Sequence, residues 1–329
     1  MKKGLLLLAC LMTASLVDAK TIFVKAGNNG NGSNWTNAFG DLQQALSAAT
    51  AGDQIWVANG TYAPTKNNDR KASFKLVEGV ALYGGFAGTE TALNQRNAKV
   101  NQTILTGEIG TPSLNDNVFT VVYADNVSAK TIVDGFTITG GAANGFGVTG
   151  DLSFCGAAWF NNQASPSISN CIFKNNYARE GAAIYNYANN GGTSSPKISN
   201  CSFIANVADF DGGAIFNMSN SNSMCAPIIT NCQFDYNKST YGAAILNKGV
   251  DGKVKAAITN CVFTANASIL SGAIVYNLRE GRGESNSTMT ACKFIDNDAV
   301  NGDAFGESQT VTASSNNAQN KGGAVLRSY

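Results

Sequence analysis

Glu180 and Asp211 stand at equivalent places in two successive copies of a repeated phrase, each four residues before an isoleucine, Ile184 and Ile215. Asp209 lies two residues before Asp211, and Arg179 directly precedes Glu180. If the copies stack as neighbouring strands, the two carboxylates come to lie roughly one strand spacing apart, about 4.8 Å. Carboxylates that close repel unless a hard cation sits between them. Glu180, Asp209 and Asp211 are therefore candidate calcium ligands, with Arg179 as an adjacent cationic group. The bland alternative is a pair of solvated bend residues. Asp296, Asp298 and Asp303 form a second acidic cluster with a weaker case, and residues 279–284 (Arg-Glu-Gly-Arg-Gly-Glu) read as a solvated loop tip. The chain has no histidine, which removes the commonest general base.

The cysteines invite a metal or disulfide role. Five of them recur in the phrase Cys-x-Phe-x-x-Asn, as Cys171/Phe173/Asn176, Cys201/Phe203/Asn206, Cys232/Phe234/Asn237, Cys261/Phe263/Asn266 and Cys292/Phe294/Asn297. No Cys-x-x-Cys pair occurs, so the usual zinc spacings are missing. Alternation with phenylalanine places these thiols on an inward face, where a free cysteine acts as a small hydrophobe. Cys155 and Cys225 lie outside the series and are open to oxidation in an exported protein, with no pairing readable from sequence.

Positioning such residues falls to the repeat itself. Successive cysteines of the phrase are 30, 31, 29 and 31 residues apart. A second half-phrase follows each: Gly181-Ala-Ala-Ile184, Gly212-Gly-Ala-Ile215, Gly242-Ala-Ala-Ile245 and Gly272-Ala-Ile274. A degenerate Gly302-Asp-Ala-Phe305 and a final Gly322-Gly-Ala-Val325 complete the series, and Gly156-Ala-Ala-Trp159 is an early copy. Self-similarity at this period marks a stacked solenoid. Apolar residues alternate, bracketed by Asn and Gly, which is the pattern of half-buried strands between tight bends. With Ile168, Ile198, Ile229 and Ile258 preceding the cysteines, each repeat is expected to hold three short strands and three bends. The fold class implied is all-β, a single-stranded right-handed parallel β-helix. Asn170, Asn200, Asn231 and Asn260 at one bend are expected to form a hydrogen-bonded ladder that stops at Ala291.

Along the chain, residues 1–19 carry Lys2 and Lys3, an apolar run and a Val-Asp-Ala ending, the pattern of a secretory signal peptide. No other stretch is long and apolar enough to span a membrane. Residues 20–329 read as one β-helix domain, with 20–62 as N-terminal cap and first strand. Within that cap, 37–51 is expected to be an amphipathic helix, with Phe39, Leu42, Leu46 and Ala49 on one face, covering the raw end of the stack. Trp35 and Trp56 are assigned to the same cap. Strand-like pieces at 74–76, 80–83, 103–105, 118–123 and 131–138 bring the expected total to roughly nine coils. Insertions at 187–196, 218–226, 248–257 and 278–288 recur at one place in the coil and are expected to project from one face as a binding surface. An uncovered last coil is expected to meet a partner or another copy of the chain. Charged residues are 14% of the chain and the net charge is +1, so no nucleic-acid footprint is present.

The pair Gly-Gly-Ala-Ile (212–215) and Phe-x-x-Asn resembles the repeat of chlamydial polymorphic outer membrane proteins. The segment 39–62, Phe-Gly-Asp-Leu-Gln-Gln-Ala-Leu through Gln-Ile-Trp-Val-Ala-Asn-Gly-Thr-Tyr, is similar to the start of pectate-lyase-like β-helix proteins. The first resemblance implies an adhesin, exported to the cell exterior or outer membrane, with the periplasm as the remaining location. The second implies polysaccharide lyases and glycoside hydrolases, for which Arg179, Glu180 and Asp211 are the catalytic candidates, assisted by calcium. The polygalacturonase-like pattern of Asn-Thr-Asp, Asp-Asp, Gly-His-Gly and Arg-Ile-Lys is absent. The sequence favours a non-enzymatic, exported protein binding a polysaccharide or cell-surface component through aligned loops. A calcium-assisted lyase or hydrolase is the alternative.

Overall fold

The computed structural model describes residues 19–270 and 274–299, with the short strands Asn317–Gln319 and Leu326–Ser328. Residues 1–18 of the expected signal peptide, the phrases at 302–305 and 322–325, and Asp303 lie outside the described residues. The expected right-handed parallel β-helix is present. Four parallel sheets form its walls, and one coil shows all of them: Ser167–Ser169 in wall 1, Ile172–Lys174 in wall 2, Tyr177–Glu180 in wall 3 and Ile184–Ala188 in wall 4. Equivalent residues of neighbouring coils pair in register, Phe173 with Phe203 and Ile184 with Ile215. Among the described residues wall 1 is nine coils deep, from Thr21–Val24 to Glu284–Thr290. At one strand spacing per coil the stack is about 38 Å long.

Four strands per coil replace the expected three. Wall 3 lacks the alternation of large apolar residues that betrays the others. Its buried inner positions carry small side chains, Ala143, Ala178, Ala208, Ser239 and Ser268, so backbone pairing rather than bulk defines it.

Each bend turns on one residue in the left-handed region. Between walls 1 and 2 these are Asn170, Asn200, Asn231, Asn260 and Ala291, with φ of 52° to 55°. Between walls 2 and 3 they are Asn175, Ala205, Tyr236, Ala265 and Asp296, with φ of 49° to 58°. Between walls 3 and 4 the position is glycine in the described coils: Gly156, Gly181, Gly212 and Gly242. The reason is steric. A Cβ on Gly212 would meet the Ile215 carbonyl oxygen at 2.5 Å and the Phe216 Cβ at 3.0 Å. We expect Gly212→Ala to cost about 3 kcal/mol, combining left-handed strain with a clash against backbone. Asn200→Ala, at a bend where Ala291 already stands, should cost about 1 kcal/mol or less. Urea titrations of the two variants check this, and equal losses would disprove the steric account.

The interior is a pile of identical side chains. The rings of Phe173, Phe203, Phe234, Phe263 and Phe294 stack with centroids 5.0, 4.6, 4.7 and 4.8 Å apart. The five thiols beside them are buried, and Cys201 Sγ donates to the Ser199 carbonyl at 3.2 Å. Cys155 and Cys225 lie in separate clusters, so they do not pair.

The expected asparagine ladder is only partial. Asn260 donates to Asn231 at 2.8 Å and Asn231 to Asn200 at 3.3 Å, all of them exposed, while Asn170 turns to Asp134. Two further ladders run through the protein's interior. One uses the last residue of the repeated phrase: Asn176, Asn206, Asn237, Asn266 and Asn297, linked at 2.9 to 3.0 Å. The other follows the buried isoleucine of wall 4: Asn161, Asn186, Asn217, Asn247 and Asn277, linked at 2.7 to 2.8 Å.

At the N-terminal end, helix α1 spans Leu42–Ala48 and buries Leu42, Ala45 and Leu46 against the first coil. It is shorter than the expected 37–51. Residues 37–40 instead pair with the first strand, Phe39 exchanging hydrogen bonds with Phe23 and Lys25, and Asp41 then caps the helix by accepting from Gln43 N at 2.8 Å. Trp35 and Trp56 pack with Phe23 and Phe86, as a cap requires.

The insertions at 248–257 and 278–288 are ordered extensions of walls 4 and 1 rather than separate loops. Ile245–Val250 stacks on Val275–Glu280, and Lys253–Thr259 on Glu284–Thr290, forming a flange. Ion pairs tie its layers, Lys248 to Glu280 at 2.8 Å and Lys253 to Glu284 at 2.7 Å. Among the described residues no helix is long and apolar enough to cross a membrane.

Candidate functional site

Wall 4 alternates like any strand, so Ile184 and Asn186 face the interior while Tyr185 and Tyr187 face out. Outward residues of such a wall normally meet water. Here Phe160, Tyr185, Phe216, Leu246 and Tyr276, which pair in register, are buried in a second apolar cluster outside the coil. They fill the corner between walls 3 and 4 with Tyr241, Phe154, Leu152 and Tyr187 packed against them. The next outward column reads Tyr187, Met218, Lys248 and Leu278.

The last residue of wall 3 enters this corner. Bridges and strand pairs stack Cys155, Glu180, Asp211 and Tyr241 on four successive coils. Glu180 is 7% exposed. It accepts from Thr149 Oγ1 at 2.9 Å and from the Cys155 thiol at 3.4 Å. Burial raises its pKa, against those two hydrogen bonds and the Lys248 charge. Asp211 is half-buried, and among the described residues no hydrogen bond or ion pair engages its carboxylate. Burial first, then the Glu180 and Glu280 charges, push its pKa up to about 7 against the opposing pull of Lys248. Neither group is the solvated bend residue of the bland alternative.

Arg179 and Asp209 belong elsewhere. Their side chains form an ion pair, and Tyr177 Oη donates to Asp209 at 2.6 Å. Burial, then the Asp209 partner, raises the Tyr177 pKa to about 12. A bulge between Ala208 and Asp211 gives this strand one residue more than its neighbour, so Glu180 and Asp211 stay in register while Asp209 meets Arg179. The four candidates thus form two pairs. In the second acidic cluster, Asp296 is a left-handed bend residue and Asp298 starts a strand of wall 3. Among the described residues no group of three or more His, Cys, Asp or Glu side chains is placed to hold a metal ion. Arg282 is 89% exposed beside Asp251, as a loop tip should be.

Residues 144–155 close the N-terminal end of the corner, and apart from Cys155 they carry no repeat signal. Gly150 N–H donates to the Cys155 sulfur at 3.3 Å, and a Cβ on Gly150 would meet the Tyr187 ring at 3.0 Å. Beside this loop lies a cleft of about 720 Å³ lined by Lys71, Phe119, Thr120, Thr149, Asp151, Tyr187 and Asn189, among others. Thr149 links the cleft to Glu180. A signal for Cys155 was present: it precedes Gly156-Ala-Ala-Trp159 as Glu180 precedes Gly181-Ala-Ala-Ile184.

The repeat model of the Chlamydia polymorphic membrane protein family matches residues 170–192. Among solved structures, the chain is similar to a pectin methylesterase from Aspergillus niger at 16% identity and a TM-score of 0.41, covering 92% of this chain and 86% of that one. It is similar to a pectate lyase at 12% identity and 0.47, covering 92% and 78%, and to a rhamnogalacturonan lyase at 14% and 0.36, covering 83% and 74%. These are likenesses of a stacked-coil rod, and no residue role is carried over from them. No curated protein matches the chain.

Proposed function

We propose that this is an exported protein that binds a polysaccharide along the corner between walls 3 and 4 and acts on it as a lyase or hydrolase, with Asp211 moving the proton. The observation that carries this is Asp211 itself, a half-buried carboxyl that no hydrogen bond or ion pair engages among the described residues. It stacks on Glu180, whose partner Thr149 lines the cleft, and burial and the Glu180 charge push its pKa up to about 7. A carboxyl poised there can protonate a leaving glycosidic oxygen or take a proton from a sugar carbon at neutral pH. Tyr187 and Tyr241 offer rings for the apolar faces of sugars, and the Lys248–Glu280 ion pair sets polar groups beside them. Glu180 is a positioning residue, since its oxygens are engaged by Thr149 and Cys155. Calcium has little place in this reading, because those oxygens are occupied and Arg179 neutralises Asp209.

Binding without turnover is the second reading, and the burial of Glu180 favours it, because Asp211 then works without a second accessible carboxylate. A panel of acidic and neutral polysaccharides, with and without calcium, separates the two. We expect turnover of at least one polymer and a loss of 100-fold or more in Asp211→Asn, with binding retained, about the scale of one general acid or base. Binding with no turnover of any polymer would overturn the catalytic half. No binding at all would end both readings.

A further inference from the structure

We infer that the corner between walls 1 and 2, on a different edge of the coil, carries a second site, which takes an extended anionic glycan. A cleft of about 880 Å³ opens there, lined by Asn94, Arg96, Lys99, Gln102, Asn170 and Asn200, among others. One side is preformed by residues 87–102. The Glu90 carboxylate accepts from three backbone N–H groups, of Ala87, Gly88 and Thr89, at 2.6 to 3.0 Å. Asn97 N–H then donates to the Gly85 carbonyl at 2.8 Å. Arg96 is fixed by the Gly84 carbonyl at 3.0 Å and by an ion pair with Asp134, and its guanidinium lies 5.2 Å from the Tyr83 ring centroid.

Asp134 also accepts from Ser169 Oγ at 2.5 Å and Asn170 Nδ2 at 2.6 Å, so three donors already share its two oxygens. Arg96 and Asp134 cancel, which leaves exposed Lys99 as a cation with no ion pair among the described residues. The cleft therefore offers a positive charge among amides and hydroxyls, the chemistry that recognises a carboxylated or sulfated sugar. Its floor continues along the rod. Ser199 with Asn200, Thr230 with Asn231 and Thr259 with Asn260 repeat the hydroxyl–amide pair on successive coils, about 4.8 Å apart. The cross-coil amide bonds hold these side chains in line, so a polyhydroxylated chain meets a pre-ordered track at small entropic cost.

Calorimetric titration of the full chain with an alginate hexasaccharide and with neutral maltohexaose tests this. Lys99→Glu reverses the cation on an exposed side chain. Ser202→Gln narrows the cleft with a residue that the same column already holds as Gln233. We expect alginate binding to fall at least tenfold in Lys99→Glu, to fall severalfold in Ser202→Gln, to weaken with salt, and to be unchanged in Asp211→Asn. The absence of alginate binding, equal affinity for maltohexaose, or wild-type affinity in both variants would overturn the inference. Because turnover reads the other corner, and salt-sensitive alginate binding lost in Lys99→Glu reads this one, failure of that site is read separately.

Discussion

Replacing Asn206 by alanine is expected to remove about 4 kcal/mol of folding stability, more than any other single side chain considered. Asn206 Nδ2 donates to the Phe173 carbonyl at 3.0 Å and to Asn237 Oδ1 at 3.0 Å. Its own Oδ1 accepts from Asn176 twice, from the backbone N–H at 3.2 Å and from Nδ2 at 2.9 Å. The residue is fully buried, so the variant leaves the Asn176 backbone N–H without its side-chain acceptor and takes a donor from both the Phe173 carbonyl and Asn237 Oδ1, with no water to replace it. Each orphaned buried group costs about 1–3 kcal/mol, and a polarised chain of amides adds to it. Coils in a solenoid lean only on their neighbours, so the loss should appear as faster amide exchange in the coils on either side. Urea denaturation with exchange measurements checks both. A loss no larger than that of exposed Asn200→Ala would show that the ladder is decorative.

The second large effect is the pH dependence that Asp211 imposes. Below about pH 4 its carboxyl is protonated in folded and unfolded chains alike. Its pKa rises from 3.8 to about 7 on folding, so between those values the folded chain holds a proton that the unfolded chain has lost. Stability therefore falls as pH rises through this window and levels off above about 7. At 1.36 kcal/mol per unit the ceiling is about 4 kcal/mol, and residual solvent contact brings the expected loss to about 2 kcal/mol. Glu180, also raised, acts in the same direction. Asp211→Asn should flatten the curve and leave the protein more stable than wild type at pH 8, even as it removes turnover. Melting temperatures at pH 4, 6 and 8 decide it; parallel curves for wild type and variant would mean that Asp211 is an ordinary solvated carboxylate. A site residue whose removal stabilises the fold is one held there against its own solvation, as functional groups often are.

The corner also explains why only half of the site could be read in advance. Register between Glu180 and Asp211 was legible, because each stands four residues before its isoleucine. Their separation from Arg179 and Asp209 was not. It depends on the extra residue between Ala208 and Asp211, which shows in the chain only as a mismatch: Cys171 and Cys201 are 30 residues apart, Ile184 and Ile215 are 31. Lys248 and Thr149 come from other coils and a different loop, and no local pattern ties them to Glu180.

By itself the sequence determined the coil. Its period, its inward cysteine, phenylalanine and isoleucine, and the glycine required between walls 3 and 4 are all local, because each copy meets the same residues above and below. Tertiary structure decided what lies between walls. Wall 3 carries no apolar signature, the two asparagine ladders look like any polar bend residues until burial is known, and the aromatic corner joins outward faces of walls that alternation alone assigns to solvent. Only the stacking of four walls turns those outward residues into an enclosed corner, and there Asp211 loses enough water for its pKa to rise to about 7.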